Sequence, residues 1–302
     1  MTLRLNHVVL IVLLYGLGYP LGAVTLGELS APWVLLVRFT LAGLLLVIVA
    51  VLGRRQWPRG RQWGHVVVVG LLMQAAQFGF AYEGMRLGVP PTLTALVIAM
   101  NPLTTAALAA LWLGERPTRR GVVGLLLGVA AIVLAFAGRI TVDGLDAALI
   151  LPLLALCGMS AGGVYQQRFL SDVDPLPASA AGQLVSAAPM AIWALVTPPD
   201  LGDPRLAVVS LAAMTVLSAA IGTTVYMAAV RRSGAARVSL LFAVIPSVAA
   251  FFDWVLRGEL PGLGVVLGLV VGAIACIVGG GPARSDRRRP ATSAGTAPPV
   301  AE

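Results

Sequence analysis

The sequence predicts an all-α integral membrane protein of ten transmembrane helices, built as two inverted five-helix repeats. Three observations carry this. Of the 302 residues, 58% are hydrophobic and only 11% are charged, and the mean hydropathy of +0.91 lies far above that of a soluble domain. A residue pattern then recurs at an offset of 144 without a gap: Tyr82, Pro102, Gly114-Glu115, Pro117, Gly124 and Gly128 return as Tyr226, Pro246, Gly258-Glu259, Pro261, Gly268 and Gly272. Finally, all 21 basic residues are arginines, and they are distributed one-sidedly between the apolar stretches.

A helix needs about 20 apolar residues to cross the hydrocarbon core. Such stretches run roughly over 7–26, 32–52, 65–85, 91–113, 119–138, 145–167, 177–197, 206–230, 237–256 and 262–280. The first is too long, with flanks too poor in small residues, for a removable signal peptide. The second holds Arg38, and tryptophans at span edges (Trp33, Trp57, Trp63) read as interfacial anchors. Gln74 and Gln77 lie three apart in the third span. In spans 4 and 9, Pro102 and Pro246 remove a backbone hydrogen bond and kink the helix, as hinges or as static bends that shape a cavity. Spans 5 and 10 carry Gly124-x3-Gly128 and Gly268-x3-Gly272, small-residue faces that serve packing within the chain or a homodimer seam. Cys157 and Cys276, in spans 6 and 10, are too few and too separated for a disulfide framework or a metal site.

The repeat divides the chain into 1–138 and 145–280, followed by 281–302, a Pro-, Ala-, Ser- and Arg-rich cytoplasmic tail expected to be disordered. Five spans per repeat is an odd number, so the second copy enters the membrane upside down. With the N-terminus in the cytoplasm, 16 arginines fall on the inner side and four (Arg86, Arg139, Arg205, Arg257) on the outer. That bias fixes both termini in the cytoplasm. It also explains the net charge of +8 without a nucleic-acid partner. The implied partners are the lipid bilayer and a small solute, and the chain is a monomer or a homodimer.

Arg38 is the most informative ionisable residue. It lies about seven residues into span 2, roughly 10 Å deep at 1.5 Å per residue, where an unpaired charge costs several kcal/mol. It either meets a substrate carboxylate or acts as a gate element in a wet cavity, or it snorkels to the surface or bonds carbonyls at a helix end. Glu83 and Asp253 are the nearest acids that could pair with it or carry protons; each has a local arginine instead, Arg86 at i+3 and Arg257 at i+4. No carboxylate sits at the middle of a span, which favours a facilitator or exchanger over proton antiport. Tyr15, Tyr19, Gln74, Gln77, Asn101, Tyr165 and Gln183 are polar groups inside spans, either interhelical glue or the lining of an uncharged pathway. Gly158-Met159-Ser160-Ala161-Gly162 matches a nucleophilic-serine pattern, but no strand-turn-helix elbow is available there. His7 and His65, at the cytoplasmic starts of their spans, are too distant to act as its base. No catalytic residue, metal site or cofactor is expected.

Tyr15-Gly16, Pro32-Trp33 and Arg38 with Ala42 resemble the opening of an EamA domain. Asn101-Pro102 through Gly114-Glu115-Arg116-Pro117 to Gly124 and Gly128 resembles its close, repeated at Pro246, Gly258-Glu259-Leu260-Pro261, Gly268 and Gly272. The chain up to about residue 280 thus resembles a two-domain EamA protein of the drug/metabolite transporter superfamily. The opening of the second copy departs from the first, with Cys157-Gly158 there and Gln183 near the place of Arg38. The resemblance implies export of small metabolites, often amino acids, across the inner membrane. Helices 1–4 and 6–9 would surround a central cavity, with 5 and 10 behind it. Duplicated membrane units are a common build of secondary transporters, whose site lies between the repeats. The rivals are a proton-coupled multidrug or cation exporter and a non-transporting scaffold or sensor.

Overall fold

The computed structural model describes residues 5–112, 118–137, 140–141, 144–145, 147–222, 225 and 240–279. The first Gly-Glu-x-Pro junction, Tyr226 and the tail lie outside them. Among the described residues, seven helices are long and apolar enough to cross a membrane: Val9–Glu28, Ala31–Leu52, Gln62–Arg86, Pro91–Trp112, Arg119–Ala137, Ala147–Phe169 and Pro175–Val196. They coincide with the first seven expected spans to within a few residues. Shorter apolar helices, Pro204–Leu217 and Leu263–Gly279, fall in expected spans 8 and 10. Expected span 9 is described from residue 240 onward.

The first two spans are α1 (Leu5–Glu28) and α2 (Ala31–Leu52). The third is interrupted: α3 (Gln62–Gly70) passes through a π-helical stretch, Leu71–Ala76, into α4 (Gln77–Arg86). The fourth divides at Met100 into α5 (Pro91–Ala99) and α6 (Asn101–Trp112). After α7 (Arg119–Ala137), a two-residue antiparallel ladder that the sequence did not suggest pairs β1 (Ile140–Thr141) with β2 (Gly144–Leu145). Then come α8 (Ile150–Phe169), α9 (Pro175–Val196) and α10 (Pro204–Ala213), the last continuing as a π-helical stretch, Met214–Gly222. A 3-10 turn, Leu240–Ala243, precedes α11 (Ile245–Arg257), and α12 (Leu263–Gly279) ends the described chain.

Helix starts follow local chemistry. Proline occupies the first turn of α2, α5, α9, α10 and α11, where its missing N–H has no helical partner to lose. Asp174 caps α9 by accepting from the Leu176 amide at 3.1 Å, and Asp203 caps α10 by accepting from Arg205 and Leu206. Gly258, with φ of +70°, closes α11 in the left-handed conformation that glycine tolerates.

The irregular points fall in register. Shifted by 144, the stretch Leu71–Ala76 lies inside Met214–Gly222, and the division at Met100 coincides with Val244. The backbone bonds repeat as well. Met100 donates to Val97 and Val244 to Leu241; Leu103 and Thr104 donate to Met100 as Ser247 and Val248 donate to Val244. Pro102 and Pro246 therefore head new helices rather than bend continuous ones. Each lacks the N–H that would bond four residues back, and its ring clashes with that carbonyl, so the chain restarts two residues earlier.

Two helix pairs frame the bundle. α2 packs on α9 and α7 on α12. A Cβ on Gly268 would stand 2.8 Å from the Ala131 carbonyl oxygen, and one on Gly124 would meet the backbone of Gly279. Gly128 and Gly272 face Met100, Leu103 and Leu96 of the interrupted fourth span. Both small-residue faces are thus occupied within the chain. Phe39, Leu93, Leu96, Leu149 and Met214 are fully buried at the centre.

Candidate functional site

Arg38 does not snorkel. Its residue is only 6% exposed, and its guanidinium carbon lies 3.8 Å from the centroid of the Phe78 ring, with the Tyr82 ring at 5.8 Å. One terminal nitrogen donates to the Tyr82 hydroxyl at 3.5 Å, and that hydroxyl donates to the Met214 sulfur at 2.8 Å. Nε is buried without a partner. A desolvated cation–π contact is worth about 2 kcal/mol, which does not offset the several kcal/mol of burying a lone charge. The acids expected nearby are engaged elsewhere. Arg86 Nε donates to Glu83 at 2.8 Å, and Arg257 donates to Asp253 at 3.1 Å and to Glu259 at 2.6 Å.

The 144-residue offset places Arg38 opposite Gly182 and Met214 opposite Gly70. Where one contact between the repeats links Arg38 to Met214 through the Tyr82 hydroxyl, the corresponding contact brings two glycines together through their backbones: a Cβ on Gly70 would stand 2.7 Å from the Gly182 Cα. Ser186 reinforces that contact by donating to the carbonyls of Gly70 and Gly182.

The two ends of the bundle are fastened differently. At the end carrying the α1–α2 and α9–α10 connections, Thr25 Oγ1 donates to Ser210 Oγ at 3.0 Å, and Glu28 accepts from the Asp203 amide at 2.6 Å. Trp33 Nε1 donates to the Thr197 carbonyl at 3.1 Å, and Leu29 forms a β-bridge with Leu201. Thr92 donates to Asp253 at 3.2 Å, tying α5 to α11. The opposite end, with the α2–α3 and α8–α9 connections, holds clefts. One of about 680 Å³ runs between Arg54, Arg55, Arg59, Asp172 and Asp174; another of about 420 Å³ is lined by Trp112, Tyr165, Arg168 and Phe169. Between them, Gln74, Gln166, Gly70 and Gly182 line a narrow pocket.

The remaining polar positions divide by surroundings. Gln74 faces that pocket with Oε1 unpartnered, whereas Gln77, past the π-helical stretch, is 4% exposed. Asn101 Oδ1 accepts from Ser160 at 3.0 Å and from Thr105 at 3.1 Å, and Ser160 also bonds Thr104 at 2.5 Å. Asn101 is therefore held between α6 and α8. Ser160 belongs to that junction, flanked by Gly158 and Gly162, which admit the backbone and side chains of the third span. His65 Nδ1 bonds the Tyr165 hydroxyl at 2.9 Å and its ring stacks on Phe169. Gln183 is 3% exposed with Oε1 unpartnered. Tyr19 packs against the central cluster, and Tyr15 borders Gly222 on the second π-helical stretch. Phe78, Tyr82, Met214 and Thr92 are the partners that sequence reasoning missed. The spacing of Phe78 and Tyr82 on one face of α4 was the one available signal.

Asp253 is 3% exposed, and among the described residues Thr92 and Arg257 are the partners that offset its burial. Asp253→Ala leaves the buried Thr92 hydroxyl unpaired, whereas Arg257 keeps Glu259. The expected loss is about 1–3 kcal/mol, read as a lower unfolding temperature in detergent. An unchanged temperature would show that the α5–α11 tie contributes nothing.

A multi-pass bundle with interrupted helices and buried polar groups defines a helical integral membrane protein. The chain belongs to the EamA-like transporter family, whose model matches residues 7–137 and again 146–279. Among named relatives, the WAT1-related protein At3g02690, chloroplastic, of Arabidopsis thaliana is 26% identical over 74% of this chain and 56% of its own length. The uncharacterized transporter YvbV of Bacillus subtilis is 29% identical over 55% of this chain and 54% of its own. The chain thus spans about half the length of these two. The uncharacterized inner membrane transporter YedA of Escherichia coli K12 is 26% identical over 74% and 72%. A chain of known crystal structure shares the fold at a TM-score of 0.63 and 19% identity, covering 91% of this chain and 96% of that one.

Proposed function

We propose that this protein is a secondary carrier that moves a small polar, amino-acid-like metabolite across the inner membrane by alternating access. Its ten spans form two inverted repeats with both termini in the cytoplasm, and it works as a facilitator or exchanger, delivering solute outward where the cell makes it. The observation that carries this is the paired interruption of corresponding spans, at Leu71–Ala76 with Met214–Gly222 and at Met100 with Val244. Broken helices at matching places in two repeats are the usual position of a carrier's binding site, because only there does backbone turn toward a cavity. Side-to-side contacts fit the inverted arrangement: the α1–α2 connection meets α9–α10, and Arg55 beside the α2–α3 connection lies 3.6 Å from Asp174 beside α8–α9.

Flux through purified protein in liposomes tests the reading, with labelled amino acids, nucleosides and organic cations, with and without a pH gradient. The expected result is amino-acid exchange that survives collapse of the gradient. Cation flux that requires the gradient would replace this reading with a proton-coupled exporter using Glu83 or Asp253. Silence across the panel would favour a scaffold.

A further inference from the structure

Arg38 is a full positive charge, 6% exposed, with no acid paired to it among the described residues and with Nε lacking any acceptor. Its contacts are a ring face, a weakly placed hydroxyl and, through that hydroxyl, a sulfur. None is an anion. A second orphan lies on the π-helical stretch that packs against α2: Thr215 is 1% exposed and its hydroxyl has no partner. A planar, buried guanidinium short of an acceptor is a donor for an anionic oxygen group, and Thr215, next in sequence to the Met214 that accepts from Tyr82, is a second buried donor without a partner. The opposite half has nothing comparable, because Gly182 stands in place of Arg38.

We propose that Arg38 binds the carboxylate of the transported solute, and that the Phe78–Tyr82 slot holds the guanidinium when no solute is bound. This rests on the carrier reading and narrows it to carboxylate-bearing solutes, zwitterions or organic anions. Cations are repelled by the same charge. The charge sits on one side only, so the solute's carboxylate is held toward the α1–α2 end, under the ties Thr25–Ser210 and Glu28–Asp203.

The test compares acids with their amides in wild-type proteoliposomes: alanine with alaninamide, lactate with lactamide, and tetraethylammonium as the cation. Each acid that is carried is expected to move at least about tenfold faster than its amide, the range of one lost charge-assisted hydrogen bond. Arg38→Gln is expected to lose acid flux by a similar factor, and Arg38→Lys to keep part of it. An amide carried as well as its acid overturns the proposal and needs no variant, so a misfolded Arg38→Gln does not blunt the test. Acid flux unchanged in a folded Arg38→Gln also overturns it. Excess chloride that suppresses acid flux, and that raises the unfolding temperature of wild type but not of Arg38→Gln, reassigns the site to an inorganic anion. Flux of the cation alone refutes this proposal and leaves of the carrier reading only alternating access, with another solute class; no flux of any solute removes both.

Discussion

Oxidised protein carrying Thr25→Cys and Ser210→Cys, in a background of Cys157→Ala and Cys276→Ala, is expected to carry no solute until a reductant is added. The two hydroxyl oxygens are 3.0 Å apart, close enough for their Cβ atoms to approach the separation that a disulfide needs. Thr25 is on α1 and Ser210 on α10, helices from different copies of the repeat. Their contact belongs to the set of ties that closes the α1–α2 end, and alternating access requires that end to part once per cycle. A covalent bond there holds the protein with its clefts at the other end, so flux falls to the level of empty liposomes. The native cysteines are removed because Cys157 is exposed and would compete. Each single variant controls for the loss of the hydroxyl. Full flux with the bond demonstrably formed would mean that this seam does not open, and the inverted-repeat mechanism would lose its gate.

What was legible in the sequence was whatever depended on neighbours in the chain or on the 144-residue register. Glu83 with Arg86 and Asp253 with Arg257 follow from helical spacing alone, and both pairs form. The repeat placed Pro102 and Pro246 in equivalent positions, and the structure interrupts both spans just ahead of them. The fate of Arg38 was not legible, because its partners Phe78 and Tyr82 lie 40 and 44 residues away on α4, whose contact with α2 nothing local specifies. Thr92, which meets Asp253 across 161 residues, was hidden for the same reason. The π-helical stretch Leu71–Ala76 was missed because it contains neither proline nor glycine, and the helices it packs on, α8 and α9, are distant in sequence. Ser160 shows the converse hazard. A pattern known from catalysis is, in this chain, a polar residue between two glycines that let α8 close onto the third span.

Gly70→Ala is expected to destabilise the protein by about 1–3 kcal/mol, as overpacking does, and Gly182→Ala by clearly less, although both residues belong to one contact. The asymmetry comes from direction. A Cβ on Gly70 would stand 2.7 Å from the Gly182 Cα and 2.8 Å from its carbonyl oxygen, both backbone atoms that cannot turn aside. A Cβ on Gly182 meets the Gly70 Cα at 3.3 Å, tight but within reach of a small adjustment. Relief of the Gly70 clash must separate α3 from α9, which breaks the bond from Ser186 to the Gly70 carbonyl. It must also shift the π-helical stretch that begins at the next residue, so flux should fall together with stability. Gly64→Ala is the control: it is on the same helix with nothing within 4 Å of the added methyl, and alanine's better helix propensity should leave it neutral or slightly stabilising. Thermal unfolding of the three variants in one detergent decides the matter. Equal losses for Gly70→Ala and Gly182→Ala would mean that the two helices meet in a different register. Separation of the two, with flux lost only in the first, would make this contact between the repeats the counterpart of the one in which Tyr82 links Arg38 to Met214.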